Sequence, residues 1–296
     1  MQLNKIDYKL HYNNWHEDNP TSRGRDISAW ENVLETHNLY PKTKDAKVLD
    51  IGCGMGRLML TLKQHGFENL KGIDIDESMI ELSLKEDLNV VKSDVISYLQ
   101  NNDELYDVIY CFDVVEHLEK DEQIELFKLL NRHLTQEGFI VLRVPNALSP
   151  TAGFFRYEDF THTTSYTPIT IKFLCQNAGL NYLTTRAEVI ETQDLQRLKS
   201  FYAEIYRQQF FIDDVILTPN IISVVFKLED TLNEYLASAK EIKNDYAYTY
   251  DFVNLKTLTE YYFFRLLIKI LPNKFSEKLK KKIKSKYQIV VLNSRL

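Results

Sequence analysis

Between residues 46 and 144, short apolar runs recur at intervals, and stretches with helical spacing fill most of the gaps. The runs are AKVLDI (46–51), NLKGID (69–74), LNVVK (88–92), YDVIYCF (106–112) and GFIVLRV (138–144). They are short and rich in β-branched residues, as expected of strands covered on both faces. Helices are predicted between them at about 57–65, 77–85, 94–101 and 121–134. Such alternation implies βαβ units and a parallel sheet. Gly66 and Gly138 stand where helices should stop.

The pattern loosens after Pro145. PNALSPTAGFFRYEDFTHTTSYTP reads as a loop rich in Thr, Ser and aromatics. Pro168 opens a further helix that ends at Gly179. Strand-like stretches follow at 181–191 and 220–228, separated by a helical insertion at about 193–211. Residues 1–45 are polar and aromatic, with a helix-like stretch at 26–38, and the chain beyond about 230 is amphipathic and helical. The organisation predicted is an N-terminal helical lid (1–45), an α/β domain (46–228) and a helical, basic C-terminal appendage (229–296).

The composition, 44% hydrophobic and 26% charged over 296 residues, is that of an ordinary globular protein. Cys53, Cys111 and Cys175 form no CxxC pair, so neither a zinc site nor a disulfide framework is expected, and a reducing cytoplasm is the simplest location. No metal site is read from the sequence. The N-terminus lacks the apolar core of a signal peptide. The net charge of −6 is uneven. Residues 262–286 hold nine Lys or Arg against one acid, Glu277, which makes that stretch +8 and leaves −14 for the rest. An acidic body argues against DNA as a partner.

The most informative stretch is VLDIGCGMGRL (48–58), a strand that runs into glycines and then a helix. Glycines at such a turn let a ligand approach the main chain and face helix N-terminal amides. The spacing Asp50-x-Gly52-x-Gly54-x-Gly56 lacks the third glycine of a dinucleotide fingerprint, where Arg57 stands. Asp74 ends the second strand, where a carboxylate can accept from both hydroxyls of a ribose. Asp94 follows the third strand, within reach of an adenine amino group.

Together, VLDIGCGMGRL, GIDIDESMIELS, KSDV, YDVIYCFDVVEHL and GFIVLRVPN resemble the class I S-adenosylmethionine-dependent methyltransferases, in order and spacing, over about 46–228. The resemblance implies a Rossmann-like, seven-stranded, mostly parallel sheet with helices on both faces and an antiparallel last strand at 220–228. It implies S-adenosylmethionine as cofactor. Gly52, Cys53, Gly54 and Gly56 would lie under its methionine moiety and Asp50 near the methionine amino group. Asp74 would hold the ribose, Ile75 would wall the adenine, and Asp94 with Val95 would meet its edge. The backbone of Cys111 and Phe112 would face the methionine end.

Methyl transfer to a hydroxyl calls for alignment and a base within reach. His162, in EDFTHTTSYTP, is the first candidate; family members with small acceptors often place a His before an aromatic-Thr-Pro stretch, here Tyr166-Thr167-Pro168. His117, after the fourth strand, is a further candidate, as is Asp113, which with Glu116 could orient a base or cap a helix. His65 and His133 read as helix-surface residues. Tyr12 and Trp15 could close the site, and Arg23 or Arg25 could meet a carboxylate or phosphate.

The acceptor stays open. The main reading is a sugar or glycan precursor in bacterial surface-polysaccharide synthesis. A quinone-pathway or other small-molecule hydroxyl is the alternative, ahead of RNA or an inactive cofactor-binding scaffold. The basic segment 262–286 reads as a solvated or dimer-forming appendage, as a helix on the inner membrane surface, or as an RNA contact.

Overall fold

A computed structural model describes residues 20–188, 193–210 and 215–238. Helix α1 (Pro20–Thr36) precedes an alternating series: β1 (Val48–Ile51), α2 (Arg57–Gln64), β2 (Leu70–Asp74), α3 (Glu77–Lys85), β3 (Val90–Lys92), α4 (Val95–Gln100) and β4 (Tyr106–Phe112). A one-turn 3-10 helix, Val115–His117, leads to α5 (Lys120–His133) and β5 (Leu134–Pro145). Then come α6 (Ala152–Glu158), α7 (Pro168–Asn177), β6 (Tyr182–Ala187), α8 (Gln193–Phe210), β7 (Asn220–Phe226) and α9 (Glu229–Ser238).

The seven strands form one sheet in the order β3-β2-β1-β4-β5-β7-β6. Pairing is parallel from β3 through β5, while β7 runs antiparallel to both β5 and β6. The expected fold is therefore present. Chain order reverses between β1 and β4, and in such sheets ligands bind beyond the strand C-termini at that point.

Alternate residues of each strand feed two cores. Leu49, Ile51, Ile109 and Cys111 pack with Leu126, Phe127 and Leu130 of α5. Val48, Val108 and Tyr110 pack with Leu58, Met59 and Leu62 of α2 and Leu34 of α1. Both faces are apolar, which explains the near-continuous apolar runs in the sequence. Asp50 shares the α2 face with Val48 by strand alternation.

Three local expectations are corrected. The first helix begins at Pro20, whose fixed φ suits the first helical turn, and ends at Thr36. Gly138 does not stop a helix: α5 ends at His133, and Gly138 lies inside β5. The β4–β5 register shifts there, and a Cβ at Gly138 would lie 2.7 Å from the Asp107 carbonyl oxygen. The segment after Pro145 contains α6, a short helix with no buried residue and hence no apolar periodicity to betray it. Gly66 does take a left-handed conformation just past α2, at φ +77°.

Helix α9 packs on the sheet through buried Tyr235, whose hydroxyl donates to the His37 carbonyl oxygen at 2.6 Å. No helix among the described residues is long and apolar enough to cross a membrane. Tyr12, Trp15 and the basic segment 262–286 lie outside the described residues, as do the side chains of Arg23 and Arg25.

Candidate active site

The chain leaves β1 through Gly52, Gly54 and Gly56, at φ +73°, +51° and +74°. The amides of Gly52 and Cys53 both donate to the Ile73 carbonyl oxygen, which ties the turn to the end of β2. A Cβ on Gly52 would stand 2.3 Å from Val114 Cγ2, so that glycine is required by packing. A Cβ on Gly54 would meet nothing within 4 Å, so this stretch of backbone faces open space. Helix α2 begins just beyond, with no side-chain cap on its first amides. That combination suits a ligand with a carboxylate.

Two acids flank the turn. Asp50 is buried and its Oδ2 has no hydrogen-bond partner. Burial, followed by the nearby Asp74 carboxylate, pushes its carboxyl well above the ordinary range. A ligand ammonium would relieve both effects. Asp74 Oδ2 accepts from the Gly54 amide and Oδ1 from the Asp76 amide, both at 2.8 Å. Burial raises its carboxyl too, against the pull of these bonds. Asp74 thus also builds the glycine turn, and each oxygen keeps a lone pair for a further donor.

Ile75 is 46% exposed at the end of β2. Asp94 is exposed and caps α4, accepting from the Ser97 amide at 2.8 Å. The Val95 side chain is in the core, so only its backbone can face a ligand. Cys53, Cys111 and Phe112 are buried, and the cysteines are unpaired thiols. The open space at Gly54, the orphaned Asp50 oxygen and exposed Ile75 fit the methionine, ammonium and adenine parts of S-adenosylmethionine.

The other end of the site is built after β4. Asp113 follows β4 at φ +54°. Arg143 of β5 takes both its oxygens, through Nε to Oδ1 at 3.1 Å and through Nη2 to Oδ2. Arg143 also reaches Glu188 Oε1 at 3.3 Å. Its guanidinium lies 4.6 Å over the Trp30 ring, which stacks on Phe112 with centroids 5.0 Å apart. Asp113 therefore fixes Arg143, and this group packs α1 against the ends of β4 and β5.

Glu116 neither caps a helix nor meets water: it is fully buried and both carboxyl oxygens lack hydrogen bonds. Burial above all, then Asp113, holds its carboxyl well above the ordinary range. His162 lies beside it, with Nε2 4.0 Å from Glu116 Oε1 and 3.7 Å from Asp159 Oδ2. The His162 and His117 rings meet edge to face at 4.7 Å. The loop is pinned here because the Thr163 amide and hydroxyl both donate to the Glu116 carbonyl oxygen. The Tyr166 hydroxyl donates to the Val115 carbonyl oxygen, and Thr167 caps α7 ahead of Pro168. The sequence-predicted histidines are thus brought together.

Trp30 and Arg143 were not singled out in the sequence. An Arg inside an otherwise apolar strand run, GFIVLRV, was the available signal. His133 is not a surface residue: it is buried between the carbonyl oxygens of Glu104 and Leu99, at 2.7 and 2.8 Å. His65 bonds Glu31 and Tyr40.

A family model described as a methyltransferase domain matches residues 27–185. A ubiquinone biosynthesis O-methyltransferase of Rickettsia typhi is 32% identical over 155 residues, 49% of this chain and 60% of that protein. One from Rickettsia conorii is 37% identical over 109 residues, 34% of this chain and 35% of its own. The match spans less than two thirds of either relative. The crystal structure of an S-adenosylmethionine-dependent methyltransferase from Archaeoglobus fulgidus superposes with a TM-score of 0.55 at 25% identity, covering 74% of this chain and 99% of that one. Another from Thermotoga maritima, at 14% identity and TM-score 0.51, shares the fold; it covers 75% of this chain and 96% of its own. With the family model spanning more than half the chain, on a sheet and glycine turn of the matching kind, this chain belongs to the S-adenosylmethionine-dependent methyltransferases.

Proposed function

We propose that the protein methylates a phenolic hydroxyl of a small apolar acceptor of the quinone-precursor class. The observation that carries this reading is the likeness to the two rickettsial O-methyltransferases, which favours the quinone alternative over the glycan reading taken first from the sequence. The surface beside the site agrees with it. Phe154, Tyr157 and Phe160 are 58%, 79% and 90% exposed on the segment that carries His162. Three such rings offer contact to an apolar acceptor.

Bound S-adenosylmethionine would supply an electrophilic sulfonium methyl. The chain's own residues bind and orient. In this reading Asp50 meets the methionine ammonium, and the α2 amides meet its carboxylate. Gly52, Cys53, Gly54 and Gly56 form the floor, with Cys111 and Phe112 at its edge. Asp74 takes the ribose hydroxyls, and Ile75, Asp94 and the Val95 backbone take the adenine. His162 and His117 receive the acceptor hydroxyl and its proton, and Asp113 acts as a positioning group through Arg143.

The test uses purified protein, methyl-labelled S-adenosylmethionine, and acceptor fractions from methylation-depleted cells. Label in the quinone fraction of the lipid extract is the expected result. Label confined to the polysaccharide and nucleotide-sugar fractions would overturn the quinone reading in favour of the glycan one.

A further inference from the structure

Two arginines stand in one row of the sheet. Arg143 of β5 and Arg186 of β6 are both in register with Ile222 of β7, the strand between them. Their surroundings differ. Arg143 holds the carboxylates of Asp113 and Glu188. Arg186 is only 7% exposed, and its Nε and Nη1 have no hydrogen-bond partner. Among the described residues no carboxylate pairs with it.

A guanidinium stays charged at any ordinary pH, so burial cannot neutralise it. Left unpaired in the interior, such a charge is strongly unfavourable, and a partner anion is what normally offsets it. The neighbours of Arg186 supply hydrogen-bonding atoms but no negative charge. Its guanidinium lies over the Tyr235 ring of α9, 5.0 Å from the centroid. The Tyr235 hydroxyl already donates to the carbonyl oxygen of His37, just past α1. His37 is buried and its Nδ1 has no partner. Burial first, then the charge of Arg186, pushes its pKa down to about 4, so at neutral pH the ring is uncharged and has one N–H to donate. Thr184 lies on the same face of β6 as Arg186 by strand alternation, and its buried hydroxyl is unpartnered too. Unused polar atoms from three buried side chains thus surround a single positive charge.

We propose that Arg186, with Thr184 and His37, binds one small oxyanion, a phosphate or carboxylate group, where β6, α9 and the end of α1 meet. An oxyanion brings the missing negative charge and accepts several hydrogen bonds at once. β6 is the edge strand, so the ion need not cross the sheet to reach Arg186. The site is distinct from the cofactor turn, which follows β1 on the far side of β4, β5 and β7.

The test is calorimetry and thermal melting of the full chain, saturated with S-adenosylhomocysteine so that the glycine turn and the α2 amides are occupied. Inorganic phosphate and, separately, acetate are added at constant ionic strength. Wild type should take up one of these anions per chain and melt at a higher temperature with it. A response to phosphate alone supports the site as one for a phosphate group, and a response to acetate alone as one for a carboxylate. Arg186→Met removes the charge but keeps a long apolar stem, and should bind the anion at least tenfold more weakly. Thr184→Val should weaken binding several-fold, and provides the comparison if Arg186→Met does not fold. Arg132→Gln, at an exposed arginine paired with Asp103, should bind as wild type does. Affinity for S-adenosylhomocysteine, measured on the same samples, reports the cofactor reading separately. Equal anion uptake by wild type and Arg186→Met would place the ion on surface groups and overturn the proposal. So would the absence of a response to either anion in a wild-type sample that binds S-adenosylhomocysteine.

Discussion

Arg143 grips Asp113 across the β4–β5 pair with two hydrogen bonds, and the same guanidinium lies over Trp30 of α1. One arginine thus joins the sheet end to the helix above it. A planar, two-pronged cation does this; lysine does not. Asp113→Asn should lower stability to urea by about 1–2 kcal/mol, the scale of a charge-assisted bond at a partly exposed site. A double-mutant cycle with Arg143→Lys should show a coupling energy of similar size. Additive effects would mean that the pair holds nothing in place.

Asp50 has a buried oxygen without a partner. Asp50→Asn should weaken S-adenosylhomocysteine binding about tenfold, as loss of one charge-assisted hydrogen bond would, without lowering the melting temperature. The wild-type carboxyl holds its proton to a higher pH than an ordinary aspartate. It must lose that proton to pair with an ammonium. Affinity should therefore fall on acidification, from a pH above the usual aspartate range of about 4. Calorimetry across pH checks this, and the Asn variant should give a flatter profile. Identical profiles would remove Asp50 from the binding site.

Gly54 and Gly52 separate ligand space from packing. Gly54→Ala costs about 1 kcal/mol for its positive φ but meets no protein atom. It should fold and yet bind S-adenosylhomocysteine at least tenfold more weakly. Gly52→Ala drives a methyl into Val114 and should lower the melting temperature more. Near-native affinity in Gly54→Ala would mean that the open space is not the cofactor site.

His37 is buried, and its Nδ1 has no partner. Burial, and then the charge of Arg186, pushes its pKa down to about 4. The unfolded chain takes up this proton near pH 6.5, whereas the folded chain resists it until about pH 4. Stability from this residue is therefore intact above pH 6.5 and is lost as pH falls through that window, by about 3 kcal/mol in all. Urea titrations of wild type and His37→Leu between pH 7.5 and 4.5, compared as slopes, measure it. Parallel slopes would show that His37 protonates without consequence.

Phe160, the most exposed large apolar side chain described, carries no packing role. Phe160→Ser should raise KM for an apolar acceptor several-fold, while cofactor affinity and melting temperature stay as in wild type. An unchanged KM would place the acceptor's apolar part elsewhere.

The repeating apolar runs determined the sheet, because strands covered on both faces need apolar residues at every position. The glycine turn and the acids at strand ends were equally legible, since backbone conformation and ligand charge restrict residue type locally. What the sequence left open depends on residues far apart in the chain. Asp113 reads as orienting a base or capping a helix until Arg143 is placed beside it, and His133 reads as surface until two carbonyl groups enclose it. Glu116 and His162 acquire a shared chemistry only when the loop after α6 folds back onto the turn after β4. Periodicity records which face of an element is buried; it does not record which polar side chains from separate elements meet there, and their protonation and ligands are set by that meeting.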